Sequence, residues 1–181
     1  MKNIIIVGCS GHAKVVIDII EQENKYKIVG LFDRPEKIGY QLYGYTVIDT
    51  EDKLGLYQEK LNIEGCIIAI GDNSLRKIVA EKIENKFPNL DFFTVIHPSV
   101  NIGKNVRVGK GSVLIAGVSV NSDAVIGKHC ILNTNSSLGH EAIMEDYSGL
   151  SSNATIGGSA QIGSTSIIAL SATVLHGRKI G

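Results

Sequence analysis

Over residues 96–180 an apolar side chain recurs at every sixth position: Ile96, Ile102, Val108, Leu114, Val120, Ile126, Leu132, Leu138, Met144, Leu150, Ile156, Ile162, Ile168, Val174 and Ile180. Four residues after each comes a smaller or β-branched one, from Val100 and Val106 through Ser112, Cys130, Ala142 and Ser148 to Ala172, with Arg178 breaking the run. A helix needs apolar spacing near 3.6 and a half-buried strand a spacing of 2. A period of six predicts short strands that turn a corner every six residues, with one bulky and one small residue facing inward on each side. That is a hexapeptide β-helix, in which stacked coils bury one continuous column. With three hexads to a coil, residues 18 apart lie one inter-strand spacing, about 4.8 Å, from each other.

Before residue 95 the pattern is different. Residues 3–7 and 65–70 are apolar runs of the kind found in buried parallel strands. Residues 27–32 form another, ending at Asp33, and 46–48 a short one. Between the first two strands the apolar positions Ala13, Val16, Ile17 and Ile20 have helical spacing, so the start of the chain reads as a βαβ unit with a right-handed crossover. Further helices are expected over 50–61, opening on Asp49 or Thr50, and from Ser74 as N-cap to about Phe87. The His97-Pro98 pair leads into the repeats, which sets the expected domains at 1–95 and 96–181.

Lys plus Arg and Asp plus Glu number 18 each, so no charge excess points to nucleic acid or to an anionic membrane. Cys9, Cys66 and Cys130 show no metal-ligand spacing and no disulfide framework, as expected in a reducing compartment. The apolar stretch at the N-terminus is too short for a signal peptide or a membrane span. The expected location is the cytoplasm, without membrane insertion and without a bound metal.

Candidate chemistry lies in two places. The first is Gly8-Cys9-Ser10-Gly11-His12, where a strand gives way to a helix. Glycines there let the backbone approach a phosphate, and the helix start supplies free N–H groups and a positive dipole end. Asp33, at the end of the second strand, is where an acid can accept from a ribose hydroxyl. The full glycine fingerprint of dinucleotide sites is absent, so a tight turn alone also accounts for these glycines. The second place is Asn133-Thr134-Asn135-Ser136-Ser137-Leu138-Gly139-His140-Glu141 in the repeats. His140 occupies a corner position, where an imidazole costs no core packing, and a neutral imidazole accepts a proton near neutral pH. His129 and His176 also fall on corner positions and read as solvated. Cys130 falls in the small inward rank and reads as packing.

The Gly-x-Ser-Gly-His loop, the His-Pro joint, the hexapeptide repeat and the Asn-Thr…His-Glu motif together resemble the bacterial sugar acetyltransferases that act on nucleotide-linked 4-amino sugars or on sialic acid. The resemblance implies a Rossmann-like α/β N-terminal domain followed by a left-handed parallel β-helix. It also implies transfer of acetyl from acetyl-CoA to the amine of a UDP-linked 4-amino-4,6-dideoxy sugar. The alternatives are O-acetylation of sialic acid or a related sugar, and a degenerate, non-catalytic nucleotide-sugar-binding protein. By resemblance His140 is the general base, Glu141 raises its basicity, and Asn133 completes the catalytic motif. Ser10, Gly11, His12, Asp33, Arg34 and Gly71 are the matching substrate-binding positions, although Arg34 stands where a second acid is common. Gly149, Gly158 and Leu170 are the matching acetyl-CoA positions, and Gly158 stacks one coil after His140. The family often has a second histidine where this chain has Gly149. It also implies a homotrimer, with acetyl-CoA lying between neighbouring subunits, and further coils beyond Gly181, so that the sequence reads as truncated.

Overall fold

The computed structural model describes residues 1–181, which divide into two compact units, Met1–Phe93 and Thr94–Gly181. The first is an α/β unit around a six-stranded sheet. Its strands are β1 (Lys2–Val7), β2 (Tyr26–Phe32), β3 (Gln41–Leu42), β4 (Tyr45–Asp49), β5 (Gly65–Ile68) and β6 (Asp91–Phe92), in the order β3-β4-β2-β1-β5-β6. All pairs are parallel except β3–β4, a hairpin that the apolar pattern does not announce. It turns on Tyr43 and Gly44, both at positive φ, a conformation that suits a tight two-residue hairpin turn. β1 is central and its residues Ile4, Ile5 and Ile6 are fully buried, which explains its unbroken apolar run. Helix α1 (Gly11–Glu23) packs Ala13, Val16, Ile17 and Ile20 inward, as their spacing requires.

Two expectations in this unit are corrected. The helix expected over 50–61 is broken into a 3-10 turn, Glu51–Lys53, and a single turn α2, Gly55–Gln58. Gly55, where a Cβ would lie 3.0 Å from the Phe87 ring, interrupts the helical run next to the buried Leu54, and tertiary packing overrides the local preference. Helix α3 (Asn73–Lys86) is capped by Asp72, whose carboxylate accepts from the Leu75 N–H at 2.8 Å, and not by Ser74.

The second unit is a left-handed parallel β-helix of two-residue strands in three five-stranded sheets. The register is 18 throughout: Val113 pairs with Ile131, Ser119 with Ser137, and Val125 with Ile143. Leu114, Leu132, Leu138, Met144, Leu150 and Ile162 are fully buried, and so are Ser112, Ala124, Cys130, Ser136 and Ala154 of the smaller rank. Exposure rises at the two ends of the bulky column, to 45% at Ile102 and 41% at Ile180. The buried hydroxyls of Ser112 and Ser148 find backbone partners: Ser112 Oγ donates to the Gly127 carbonyl at 2.8 Å and Ser148 Oγ to that of Glu145 at 2.6 Å.

At the corners one residue per hexad has positive φ, including Asp123, His129, Asn135, Glu141, Tyr147, Asn153 and Ser159. Each donates its N–H to a carbonyl of the coil before, as Glu141 does to Ser122 at 3.0 Å and Ser159 to His140 at 2.8 Å. His129 is buried, contrary to its expected solvation. It stacks on Tyr147, in the same position of the next coil, with ring centroids 5.2 Å apart and planes within 2°.

Candidate functional site

The first unit carries a cleft of about 500 Å³ lined by Val7, Gly8, Cys9, Ser10, Asp33, Arg34, Lys37, Glu51, Ile70, Gly71, Asp72, Leu75 and Val79. Its walls are the loops that leave the carboxyl ends of β1, β2 and β5. With β2 on one side of β1 and β5 on the other, this is the point where strand order reverses and open α/β sheets bind ligands. Gly8 is needed for the turn: its φ is +109°, and a Cβ would meet the Ala69 carbonyl oxygen at 2.8 Å. At the start of α1, Ser10 makes no side-chain cap and no acid sits in the first turn, so the helix presents its dipole end unneutralised.

Asp33 organises the cleft. Its Oδ2 accepts from the Cys9 N–H at 2.5 Å and from Lys37 Nζ at 2.9 Å, and its Oδ1 from the Arg34 N–H at 2.7 Å. Lys37 Nζ also reaches the Cys9 carbonyl at 2.8 Å. Burial works to raise the carboxyl's pKa, but these hydrogen bonds and the lysine charge outweigh it and hold it below the ordinary value. The carboxylate therefore clamps the loops after β1 and β2 together. The Arg34 side chain points outward, 70% exposed, towards Glu36.

Ser10, Asp33, Arg34 and Gly71 line the cleft, and Gly11 lines an adjoining hollow of about 320 Å³ with Lys14, Lys37 and Tyr40. His12, expected as a substrate contact, lines neither. Its Nε2 is buried with no hydrogen-bond partner. Burial, with the Arg76 charge adding to it, pushes its pKa down to about 4. Arg76 is the residue that pattern reading misses, since a basic residue on a polar helix face reads as solvated. It is fully buried, and its guanidinium donates to the Ile70 and Gly71 carbonyls at 3.0 and 3.1 Å and to Asn73 Oδ1 at 2.6 Å. It thereby fixes the third wall of the cleft.

In the β-helix, His140 and Glu141 share one corner. His140 Nδ1 lies 3.3 Å from Glu141 Oε2, and Ser159 Oγ, one coil on, donates to the same oxygen at 3.2 Å. The imidazole is 61% exposed and extends over Gly158, where a Cβ would meet Nε2 at 2.5 Å. A glycine at that position is what lets the ring lie there. Nδ1 faces the carboxylate, which favours the tautomer with its proton on Nδ1 and a lone pair on Nε2.

The other expected residues do not gather around this pair. Asn133 donates its side-chain amide to the Leu150 carbonyl at 2.8 Å and has no bond to His140 or Glu141, so it ties coils together. Gly149 is buried in a strand between Ile131 and Ile167 and offers no donor side chain. Leu170 is 72% exposed on a different corner column, that of Thr134 and Ser152. Cys130 is fully buried, its sulfur 3.2 Å from the Glu145 carbonyl. His176, expected to be simply solvated, approaches His140, with ring centroids 6.3 Å apart. No group of three His, Cys, Asp or Glu residues is placed to hold a metal ion, and no helix is long and apolar enough to cross a membrane.

Residues 3–83 match the PglD N-terminal domain. Over 119 residues the chain is 33% identical to UDP-N-acetylbacillosamine N-acetyltransferase of Bacillus subtilis (strain 168), a match covering 64% of this chain and 52% of that protein. The chain thus spans about half the length of the curated relative it matches. A histidine-to-asparagine mutant of perosamine N-acetyltransferase from Caulobacter crescentus, solved with CoA and GDP-perosamine, superposes with a TM-score of 0.92 at 26% identity, covering 99% of this chain and 82% of that one. The acetyltransferase domain of PglB from Neisseria gonorrhoeae FA1090, solved with acetyl coenzyme A, shares the fold at a TM-score of 0.72 and 19% identity, covering 98% and 95%. In its N-terminal unit the chain is thus similar to the PglD N-terminal domain, and across both units it is similar to N-acetyltransferases of nucleotide-linked amino sugars.

Proposed function

We propose that this chain transfers the acetyl group of acetyl-CoA to the amine of a UDP-linked 4-amino-4,6-dideoxy sugar, with His140 as general base. The observation that carries the reading is the His140–Glu141 pair, open to solvent over a bare Gly158. As the amine nitrogen attacks the thioester carbonyl, the C–N bond forms and the amine proton passes to His140 Nε2. Glu141 stabilises the resulting imidazolium. The tetrahedral intermediate then collapses, the C–S bond breaks, and the sulfur leaves with its electron pair and takes the proton from His140. No acyl-enzyme is required, and Cys130 is too deeply buried to form one.

The nucleotide belongs in the cleft of the first unit. There the α1 N-terminus suits a diphosphate, and the Asp33–Lys37 clamp sets the loops around it. UDP as the nucleotide follows the Bacillus subtilis relative, which is named for a UDP-linked amino sugar, while the Caulobacter crescentus structure holds GDP-perosamine. Acetyl-CoA is assigned to the β-helix surface, with its thioester at Gly158 and a further contact at the exposed Leu170. The assembly is a homotrimer, a reading supported by the exposed apolar side chains Ile167, Leu170 and Leu175. The place of action is the cytoplasm.

The test is thiol release from acetyl-CoA with UDP- and GDP-linked 4-amino sugars and with sialic acid as acceptors, for the natural chain and for His140→Ala. Turnover with a UDP-amino sugar that falls by about 10²–10⁴ in the variant is the expected result. Turnover unchanged by the substitution removes His140 from the mechanism, and transfer to sialic acid alone overturns the acceptor.

A further inference from the structure

His140, Gly158 and His176 form one corner column, each a single coil from the next. Leu138, Ile156 and Val174 pair in the adjoining sheet, and the Ser159 and Gly177 N–H groups bond to the His140 and Gly158 carbonyls. The backbones at His140 and His176 are two coils apart, about 9.6 Å at the usual inter-strand spacing. Their ring centroids are nonetheless only 6.3 Å apart, inclined at 43°. The rings come this close across a coil that has no side chain between them. A Cβ on Gly158 would sit 2.5 Å from His140 Nε2, and one on Gly157 would meet the His176 backbone N at 2.6 Å.

The two imidazoles are not equivalent. His140 has a carboxylate on Nδ1, which orients it as a base, and Glu141 is itself held by Ser159. His176 has no carboxylate partner and is exposed, so a ring N–H remains to be donated outward. An acyl carbon over Gly158 has a proton acceptor on one side and a hydrogen-bond donor on the other. A tetrahedral transition state needs both, with the developing oxyanion about 3 Å from its donor.

We propose that His176 donates a hydrogen bond to the acyl oxygen as acetyl is transferred over Gly158. The proposal rests on the acetyltransferase reading above. As the C–N bond forms, the carbonyl π pair moves onto oxygen, where the His176 N–H holds it. The amine proton goes to His140. When the C–S bond breaks, the pair on oxygen returns to the carbonyl and the sulfur takes the proton from His140. His176 gives up no proton in either direction.

The experiment has a kinetic arm and a spectroscopic arm, both on the full chain. In the kinetic arm His176→Ala lowers kcat by about 10²-fold, the usual loss on removing an oxyanion donor. The KM for the nucleotide sugar stays within about twofold, and His176→Gln, which retains an N–H donor, restores part of the loss. An unchanged kcat in His176→Ala overturns the proposal while leaving the acetyltransferase reading intact. The spectroscopic arm uses ring-labelled histidine and needs no acceptor. The His176 ring resonances move with acetyl-CoA and not with CoA, also in the His140→Ala background. Equal shifts with the two ligands, or none with either, overturn the role of His176 even where no acceptor has yet supported turnover.

Discussion

Gly158 sets how far the His140 imidazole can extend, because the ring occupies the volume where a methyl group would stand. Its backbone conformation is open to other residues, so the glycine is required by its neighbour and not by φ. Gly158→Ala therefore forces the far end of an exposed, flexible side chain to swing aside and disturbs no core. The expected outcome is a change in stability within about 0.5 kcal/mol by denaturant unfolding, together with a loss of turnover of order 10²-fold from the displaced base. A loss of stability equal to a core mutation, or full activity in the variant, would contradict the geometry. Glu141 makes a complementary case. It holds a left-handed conformation (φ 58°) that costs a non-glycine residue about 1–2 kcal/mol. Most corners of this β-helix bear the same cost, offset by the inter-coil hydrogen bond each makes, so strain at Glu141 is a property of the repeat and not a mark of catalysis.

At the scale of elements, β1, its loop and α1 show how a site is built beside a buried histidine. The folded pKa of His12, about 4, lies below the ordinary 6.5, so the unfolded chain takes up the proton more readily. Stability from burying the neutral ring is fully present above about pH 6.5 and is lost as the pH falls towards 4, on the order of 3 kcal/mol in all. Thermal unfolding across this window should show a steeper decline for the natural chain than for His12→Leu, and parallel curves would refute the assignment. The Asp33 carboxyl, held below its ordinary value, acts in a lower window: its contribution is present above about pH 4 and lost on further acidification, so it persists in both proteins. The main strands, α1 and the register of 18 are legible in the sequence, because each repeats or alternates over many residues and burial enforces the pattern. What escapes are contacts between elements distant in sequence. Arg76 looks like a solvated helix residue until the loop after β5 is seen to need its guanidinium. Gly55 lies against Phe87, which follows the end of α3, and no local pattern announces that contact. His129 and His176 escape for a different reason. Their surroundings follow from the register itself, which sets Tyr147 beside the first and bare Gly158 between the second and His140.

For the whole molecule, the faces of the β-helix raise the question of what covers them. Ile167, Leu170 and Leu175 are each more than 60% exposed, while the buried ranks already fill the interior, so these side chains are not surplus core. A solenoid with three sheets per coil presents flat faces, and a closed ring about a three-fold axis covers one such face on each subunit without leaving an open, polymerising edge. Ile167 lies on one sheet, Leu170 on the corner after it and Leu175 just past the next sheet's strand, and each such side chain that an interface buries contributes about 1.5–3 kcal/mol. Sedimentation of the chain should therefore give three times the monomer mass. Ile167→Asp, which sets an uncompensated charge on that face, should shift the population towards monomers while the β-helix signal in circular dichroism stays unchanged. A monomer at micromolar concentration, or a trimer indifferent to the substitution, would mean that another face mediates assembly or that none does. The trimer also makes a kinetic claim. If acetyl-CoA lies between neighbouring subunits and the nucleotide sugar binds, as proposed, in the cleft of the first unit, whose lining residues all belong to that unit, the dissociated Ile167→Asp protein should lose affinity for acetyl-CoA and keep its affinity for the nucleotide sugar.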